Sequence, residues 1–80
     1  LEIEMKLEDI VRKLLEASLA SKCNFDLSAQ LSDKIPRVNF CMTDDGKYNF
    51  YNFYTFNEHE HEPLLKAALK DIASKRKQAA

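Results

Sequence analysis

The sequence predicts an α+β fold, a two-layer sandwich in the order α-β-β-β-α, with a three-stranded antiparallel sheet packed on two helices. Three observations predict it. Apolar residues recur at helical spacing near both ends of the chain, and three segments between them alternate apolar and polar residues. A glycine-containing turn separates the last two of these segments. At 80 residues the chain is expected to form a single domain, residues 1–80.

The first helix is predicted over residues 4–21. Its apolar residues recur three and four positions apart, as they do on a helix that buries one face. Acidic residues stand near its start and Lys22 follows its end, an order that suits the helix dipole. The apolar positions are Leu7, Ile10, Val11, Leu14, Leu15 and Leu19.

Three strands are predicted after this helix. Residues 25–31 alternate apolar and polar side chains, and residues 37–42 do the same after Pro36. The sequence Asp44-Asp45-Gly46 then predicts a tight hairpin turn, because these residue types tolerate a positive φ. The third strand is expected to run from about Lys47 to Asn57.

A second amphipathic helix is predicted over residues 62–77. Pro63 falls in its first turn, where the missing N–H of proline costs little. Basic residues stand near its end, where they suit the helix dipole. The apolar stripe consists of Leu64, Leu65, Ala68, Leu69 and Ile72.

The third strand is the most unusual part of the chain. Six of the nine residues from Tyr48 to Phe56 are aromatic, out of eight aromatic residues in total. Strict alternation predicts an inner set of Tyr48, Phe50, Tyr54 and Phe56. Tyr51 and Phe53 would then lie outside, and a bulge near Tyr51 or Asn52 would exchange some members. Since one face of the sheet must meet water, some of these rings are expected to form a contact surface.

Composition and charge narrow the classes of function. A hydrophobic content of 45% with 31% charged residues is typical of a soluble globular protein and argues against disorder. The net charge is −1 and the pI is near 6.1, which argues against a dedicated nucleic-acid binder. No apolar run is long enough to span a membrane. Cys23 and Cys41 are expected to be reduced, so the sequence predicts a cytoplasmic protein.

No catalytic residue, metal ligand or cofactor site is predicted. His59 and His61 are two positions apart, whereas histidines that share a metal on a helix are usually four apart. The two cysteines form no Cys-x-x-Cys pair. Gly46 is the only glycine, so the chain holds no glycine-rich phosphate loop. An enzyme is therefore not expected.

The preferred hypothesis is a small regulatory protein that binds a partner protein and occludes it. The expected contact surface combines tyrosines and asparagines, which are typical of interfaces, with an acidic rim. The small size and acidic rim are similar to those of small phage or mobile-element inhibitors that mimic nucleic acid. The expected contact residues are Tyr48, Tyr51, Tyr54, Asn49, Asn52, Asp44, Asp45, Glu58, Glu60 and Glu62.

Two alternatives stay open. One is a nucleic-acid-binding module that stacks bases on the tyrosines and holds phosphates with Arg37, Lys47 and the C-terminal bases. The order of elements is similar to that of the double-stranded-RNA-binding domain. That family has a basic patch at the start of its last helix, where this chain carries Glu58, Glu60 and Glu62. The other alternative is a homodimer formed through the exposed strand edge or the sheet face.

Overall fold

A computed structural model describes residues 6–44 and 46–79, with residues 44 and 76–79 described by their backbone alone. The order of elements is α-β-β-β-α, as predicted. Helix α1 spans Leu7–Ser21 and helix α2 spans His61–Ala79. The strands are β1, Asn24–Gln30, β2, Arg37–Asp44, and β3, Lys47–Tyr54. A 3-10 helix, Thr55–Glu60, joins β3 to α2.

Helix α1 buries only part of its predicted apolar stripe, because Ile10 and Leu14 are buried whereas Leu15 and Leu19 are exposed. Residues 4 and 5 of the predicted helix lie outside the described residues. Glu8 and Asp9 occupy the first turn, where carboxylates interact favourably with the helix dipole. Lys22 ends the helix with φ of 58°, the left-handed conformation that usually closes a helix at this position. β1 begins two residues later, and α1 packs against β1 and β2.

The sheet has the order β1-β2-β3 and both pairs of strands are antiparallel. Pairing of β2 with β3 runs without interruption from Arg37 opposite Tyr54 to Asp44 opposite Lys47. Both helices pack on one face of this sheet. The core between the layers consists of Ile10, Leu14, Val38, Phe40, Met42, Phe53, Leu65, Ala68 and Ile72.

The predicted inner set of β3 is wrong. Residues directly opposite each other in a sheet share a face, and β2 turns Val38 and Phe40 into the core. Their partners on β3 are Phe53 and Tyr51, so these two rings face the helices. Phe53 is fully buried. By contrast Tyr48, Phe50 and Phe56 are 60%, 66% and 72% exposed, and Tyr54 lies on the same outer face as Tyr48.

The third strand is also shorter than predicted. It ends at Tyr54, and residues 55–57 belong to the 3-10 helix. Asn57 causes the turn, because its side-chain Oδ1 accepts a hydrogen bond from the Tyr54 N–H at 2.8 Å. Its Nδ2 also donates to the carbonyl oxygen of Asn52 at 3.4 Å. The Asn57 side chain thus binds backbone groups at the end of β3 that would otherwise be free to pair with another strand.

Truncating rings on the two faces of β3 should separate core from surface. We expect Phe53→Ala to lower the free energy of unfolding by about 3–5 kcal/mol, because it leaves a cavity between sheet and helices. Phe50→Ala should change it by about 0.5 kcal/mol or less, because that ring is 66% exposed. Urea unfolding followed by circular dichroism measures both values. Equal losses would contradict the register described above.

Candidate binding surface

The sheet face opposite the helices presents twelve outward side chains in four rows across the three strands. Only two of the twelve carry a charge, Asp26 and Arg37. The others are amides, hydroxyls, a thiol and rings. We call this surface the open face. Its rows are Asn24-Thr43-Tyr48, Asp26-Cys41-Phe50, Ser28-Asn39-Asn52 and Gln30-Arg37-Tyr54.

Rings are concentrated along one edge of the open face. Tyr48 and Phe50 stack with ring centres 6.3 Å apart. Tyr54 and Phe56 stack more closely, at 4.7 Å with 14° between the ring planes. We call these four residues the aromatic row. The two pairs are separated on this face by Asn52. Large exposed apolar patches usually mark an interaction site.

The polar groups between the rings are held in place. Asn39 and Asn52 lie opposite each other, and the Asn39 side chain donates a hydrogen bond to the Asn52 side chain at 2.9 Å. Arg37 lies opposite Tyr54, and its guanidinium donates to the Asp33 carboxylate and to the Ile35 carbonyl oxygen, each at 3.1 Å. The one cation of the open face is therefore already paired with a carboxylate.

Two of the predicted contact residues lie on the other side of β3. The Tyr51 hydroxyl donates to Oδ2 of Asp71 on α2 at 2.9 Å, and the Asn49 side chain donates to the same oxygen at 2.8 Å. Lys75 lies one turn further along α2, with Nζ 4.0 Å from the other Asp71 oxygen. Tyr51 and Asn49 thus fasten β3 to α2, and they do not share a face with Tyr48 and Tyr54.

The three glutamates of the predicted acidic rim lie beyond the end of β3. Glu58 and Glu60 are exposed on the 3-10 helix, and Glu62 is exposed in the first turn of α2, where it pairs with Lys66 at 3.5 Å. Glu58 lines a cleft with the start of α1, which places it towards the helix layer. The side chain of Asp44 and the whole of Asp45 lie outside the described residues.

This cleft has a volume of about 290 Å³ and includes Lys6, Glu8, Thr55 and His61 in its lining. His61 is 2% exposed, and its Nε2 donates to the Tyr54 carbonyl oxygen at 2.7 Å. Its other ring nitrogen, Nδ1, is buried and has no hydrogen-bond partner among the described residues. Within residues 6–44 and 46–79, no three His, Cys, Asp or Glu side chains are grouped as metal ligands.

Several contributors to this surface were missed by sequence reasoning. Phe50 and Phe56 were assigned to the core, and the roles of Asn57, His61 and Asp71 were not foreseen. The signal that could have found the rings is the turn, because two residues between Asp44 and Lys47 make those flanking residues a directly opposed pair. Counting outward from that pair places Phe50 outside. The side-chain bonds from α2 and the 3-10 helix have no comparable signal in the sequence.

Comparisons with models of protein families, with curated proteins and with solved structures find no match to this chain. None of the helices within the described part of the chain is long and apolar enough to cross a membrane.

The hydrogen bond between Tyr51 and Asp71 should make stability depend on pH in the alkaline range. Burial, together with the hydrogen bond and the charge of Asp71, raises the pKa of Tyr51 from 10.0 to about 12. The neutral phenol is the form that the fold favours, so its contribution to stability is complete below about pH 10. We expect that contribution to be lost as the pH rises through 12.

Tyr51→Phe tests this expectation, since it removes the hydroxyl and keeps the ring. The variant should lose about 1 kcal/mol at neutral pH and should show a flatter decline of stability above pH 10. The absorbance of the phenolate in a pH titration should also lose its most alkaline component. An unchanged alkaline titration would show that Tyr51 is not the perturbed phenol.

Proposed function

We propose that this chain is a non-enzymatic binding protein whose open face contacts a partner protein. The observation that carries the proposal is the aromatic row, in which Tyr48 and Phe50 are 60% and 66% exposed on a nearly uncharged sheet face and Phe56, just beyond the end of β3, is 72% exposed. Aromatic rings among amides and hydroxyls, with few charges, have the composition typical of the centre of a protein interface. The expected effect of binding is regulatory, because a small protein that covers a surface of its partner blocks that surface.

Burial of the exposed rings alone would not supply enough free energy for specific binding. The three most exposed rings present roughly 400 Å² of surface, worth roughly 10 kcal/mol if a partner buries it. Association itself costs about 4–15 kcal/mol in lost freedom. The rings alone therefore barely offset that cost, and the asparagines must supply directed hydrogen bonds. Asn39 and Asn52 stand next to the rings on neighbouring strands and suit that role.

The placement of the basic side chains favours a protein partner over a nucleic acid. Binding of single strands combines base stacking with cations that follow the phosphates. Arg37 is the one base on the open face, and it is already paired with Asp33. The C-terminal bases belong to α2, which packs on the opposite side of the sheet. Both cysteines are free and half-buried, which fits the reducing cytoplasm that we propose as the location.

A photo-crosslinking amino acid in place of Phe50 tests for a protein partner in an extract of the source cells. We expect a defined adduct from position 50 and none from Leu19, a control on α1 that is 62% exposed. Capture should then be lost with Tyr48→Ser and retained with Leu19→Ser. If both variants capture the same proteins to the same extent, the open face is not the contact surface.

Binding of a labelled single-stranded oligonucleotide tests the nucleic-acid alternative directly. We expect no binding at micromolar protein, because the open face lacks free cations beside its rings. Titrations by fluorescence anisotropy at low and high salt measure this. Micromolar affinity that weakens steeply as salt rises, and that is lost with Tyr48→Ser, would overturn the proposal of a protein partner.

A further inference from the structure

The outer edge of β3 is open over its first half. The strand order β1-β2-β3 leaves one edge of β3 without a neighbouring strand among the described residues. Lys47, Tyr48, Asn49 and Phe50 are exposed, so these residues are accessible from both faces of the sheet. Asn49 is the residue of this half that is hydrogen-bonded to α2, through its side chain to Asp71.

The second half of the same edge is blocked. Alternate residues of a strand direct their backbone N–H and C=O groups to the same edge. Asn57 binds the Asn52 carbonyl oxygen and the Tyr54 N–H. The even-numbered residues of β3 are therefore those whose backbone N–H and C=O groups point away from β2, towards the free edge. His61 binds the Tyr54 carbonyl oxygen. The outward backbone groups of Tyr48 and Phe50 have no such side-chain partners among the bonds of the described residues.

The open half has few of the devices by which proteins protect a strand edge, and its one charged side chain is Lys47, the first residue of β3. Those devices include proline, bulges and charged residues within the strand. From Tyr48 to Tyr54 the strand carries no proline and no charge, and its pairing with β2 is regular. The other edge strand, β1, carries Asp26 near its middle. An edge with so little protection beside exposed rings is a site for strand addition.

We propose that this half-edge pairs with the same segment of a second copy of the chain, antiparallel, about a two-fold axis through Asn49. Tyr48 then lies opposite Phe50 of the second copy, and their outward backbone groups form a hydrogen-bonded pair on each side of the axis. Both rings lie on the open face, so each pair is an aromatic contact across strands. The two sheets join into one.

Charge favours this pairing. With the axis at Asn49, Lys47 lies opposite Tyr51 of the second copy. The Tyr51 hydroxyl is bound to the carboxylate of Asp71, so each Lys47 approaches a carboxylate of the other chain. A parallel arrangement would instead bring the two Lys47 side chains side by side. The contact therefore specifies antiparallel pairing as well as the register.

The contact is small, so the dimer is weak and reversible. A few backbone hydrogen bonds and four rings bury less than the roughly 800 Å² per partner of a standard interface. We expect dissociation on dilution below roughly 100 µM. The dimer brings the open faces of both copies to the same side, which doubles the length of the aromatic row. This inference does not depend on which protein the open face binds.

Sedimentation velocity over a range of roughly 10 µM to 1 mM is the first test, and we expect the average mass to rise towards twice that of the chain. Phe50→Pro removes the outward N–H without touching the bonds to β2, and it should remain monomeric. Phe50→Ala keeps the N–H and should weaken the dimer only in part. A monomer of unmodified protein at the highest concentration would overturn the proposal.

A charge-reversal pair tests the register. Lys47→Glu should weaken the dimer by about tenfold or more, because it places a carboxylate near Asp71 of the second copy. Lys13→Glu makes the same change of net charge on an exposed position of α1 and should have no effect. Equal effects of the two variants would contradict the pairing about Asn49.

Amide hydrogen exchange gives a readout that does not depend on any variant. The amides of Tyr48 and Phe50 should exchange more slowly as the protein concentration rises, because only the dimer protects them. The amide of Tyr54 should be independent of concentration, because Asn57 already binds it. A dimer in which Tyr48 and Phe50 exchange freely would show that a different surface forms it.

Discussion

The pairing of Asp44 with Lys47 across a two-residue turn is the constraint on which the rest of this structure depends. Gly46 supplies a positive φ of 79° there, a conformation that other residues rarely adopt. Because side chains alternate along a strand, fixing one pair fixes the face of every residue that follows. A shift by one residue would expose Phe53 and bury Phe50. The division between core and open face thus originates in the turn, at a distance from both rings.

Side-chain hydrogen bonds end β3 and hold it against α2. Asn57 and His61 bind backbone groups at the far end of β3, and Asp71 receives two donors from its middle. The side chains involved come from the 3-10 helix and from α2, so strand and helix fix each other. Such polar contacts contribute about 1 kcal/mol each, little beside the burial of the core. These hydrogen bonds mainly fix the position of β3. In that position its open face and its first residues remain accessible to solvent.

The sequence predicted the architecture well because each element carries its own periodic pattern. The helical spacing of Leu7, Ile10 and Leu14 and the alternation from Val38 to Met42 both follow from burial of one face of a single element, which is a local pattern. The aromatic strand was different, because both of its faces carry rings and the alternation of apolar and polar residues is lost. Hydrophobicity therefore could not decide between Phe50 and Phe53. The bonds of Asn57 and Asp71 depend on positions brought together by the fold, so no local pattern indicates them.

The hydrogen bond of Tyr51 also affects the intrinsic fluorescence of the protein. The chain has no tryptophan and three tyrosines, so tyrosine alone supplies its intrinsic fluorescence. The phenol of Tyr51 is bound to a carboxylate, an arrangement that quenches emission, whereas Tyr48 and Tyr54 lie on the open face. Emission from Tyr48 and Tyr54 therefore responds to changes at the surface proposed to meet other molecules. Contact at that surface is visible without any attached label.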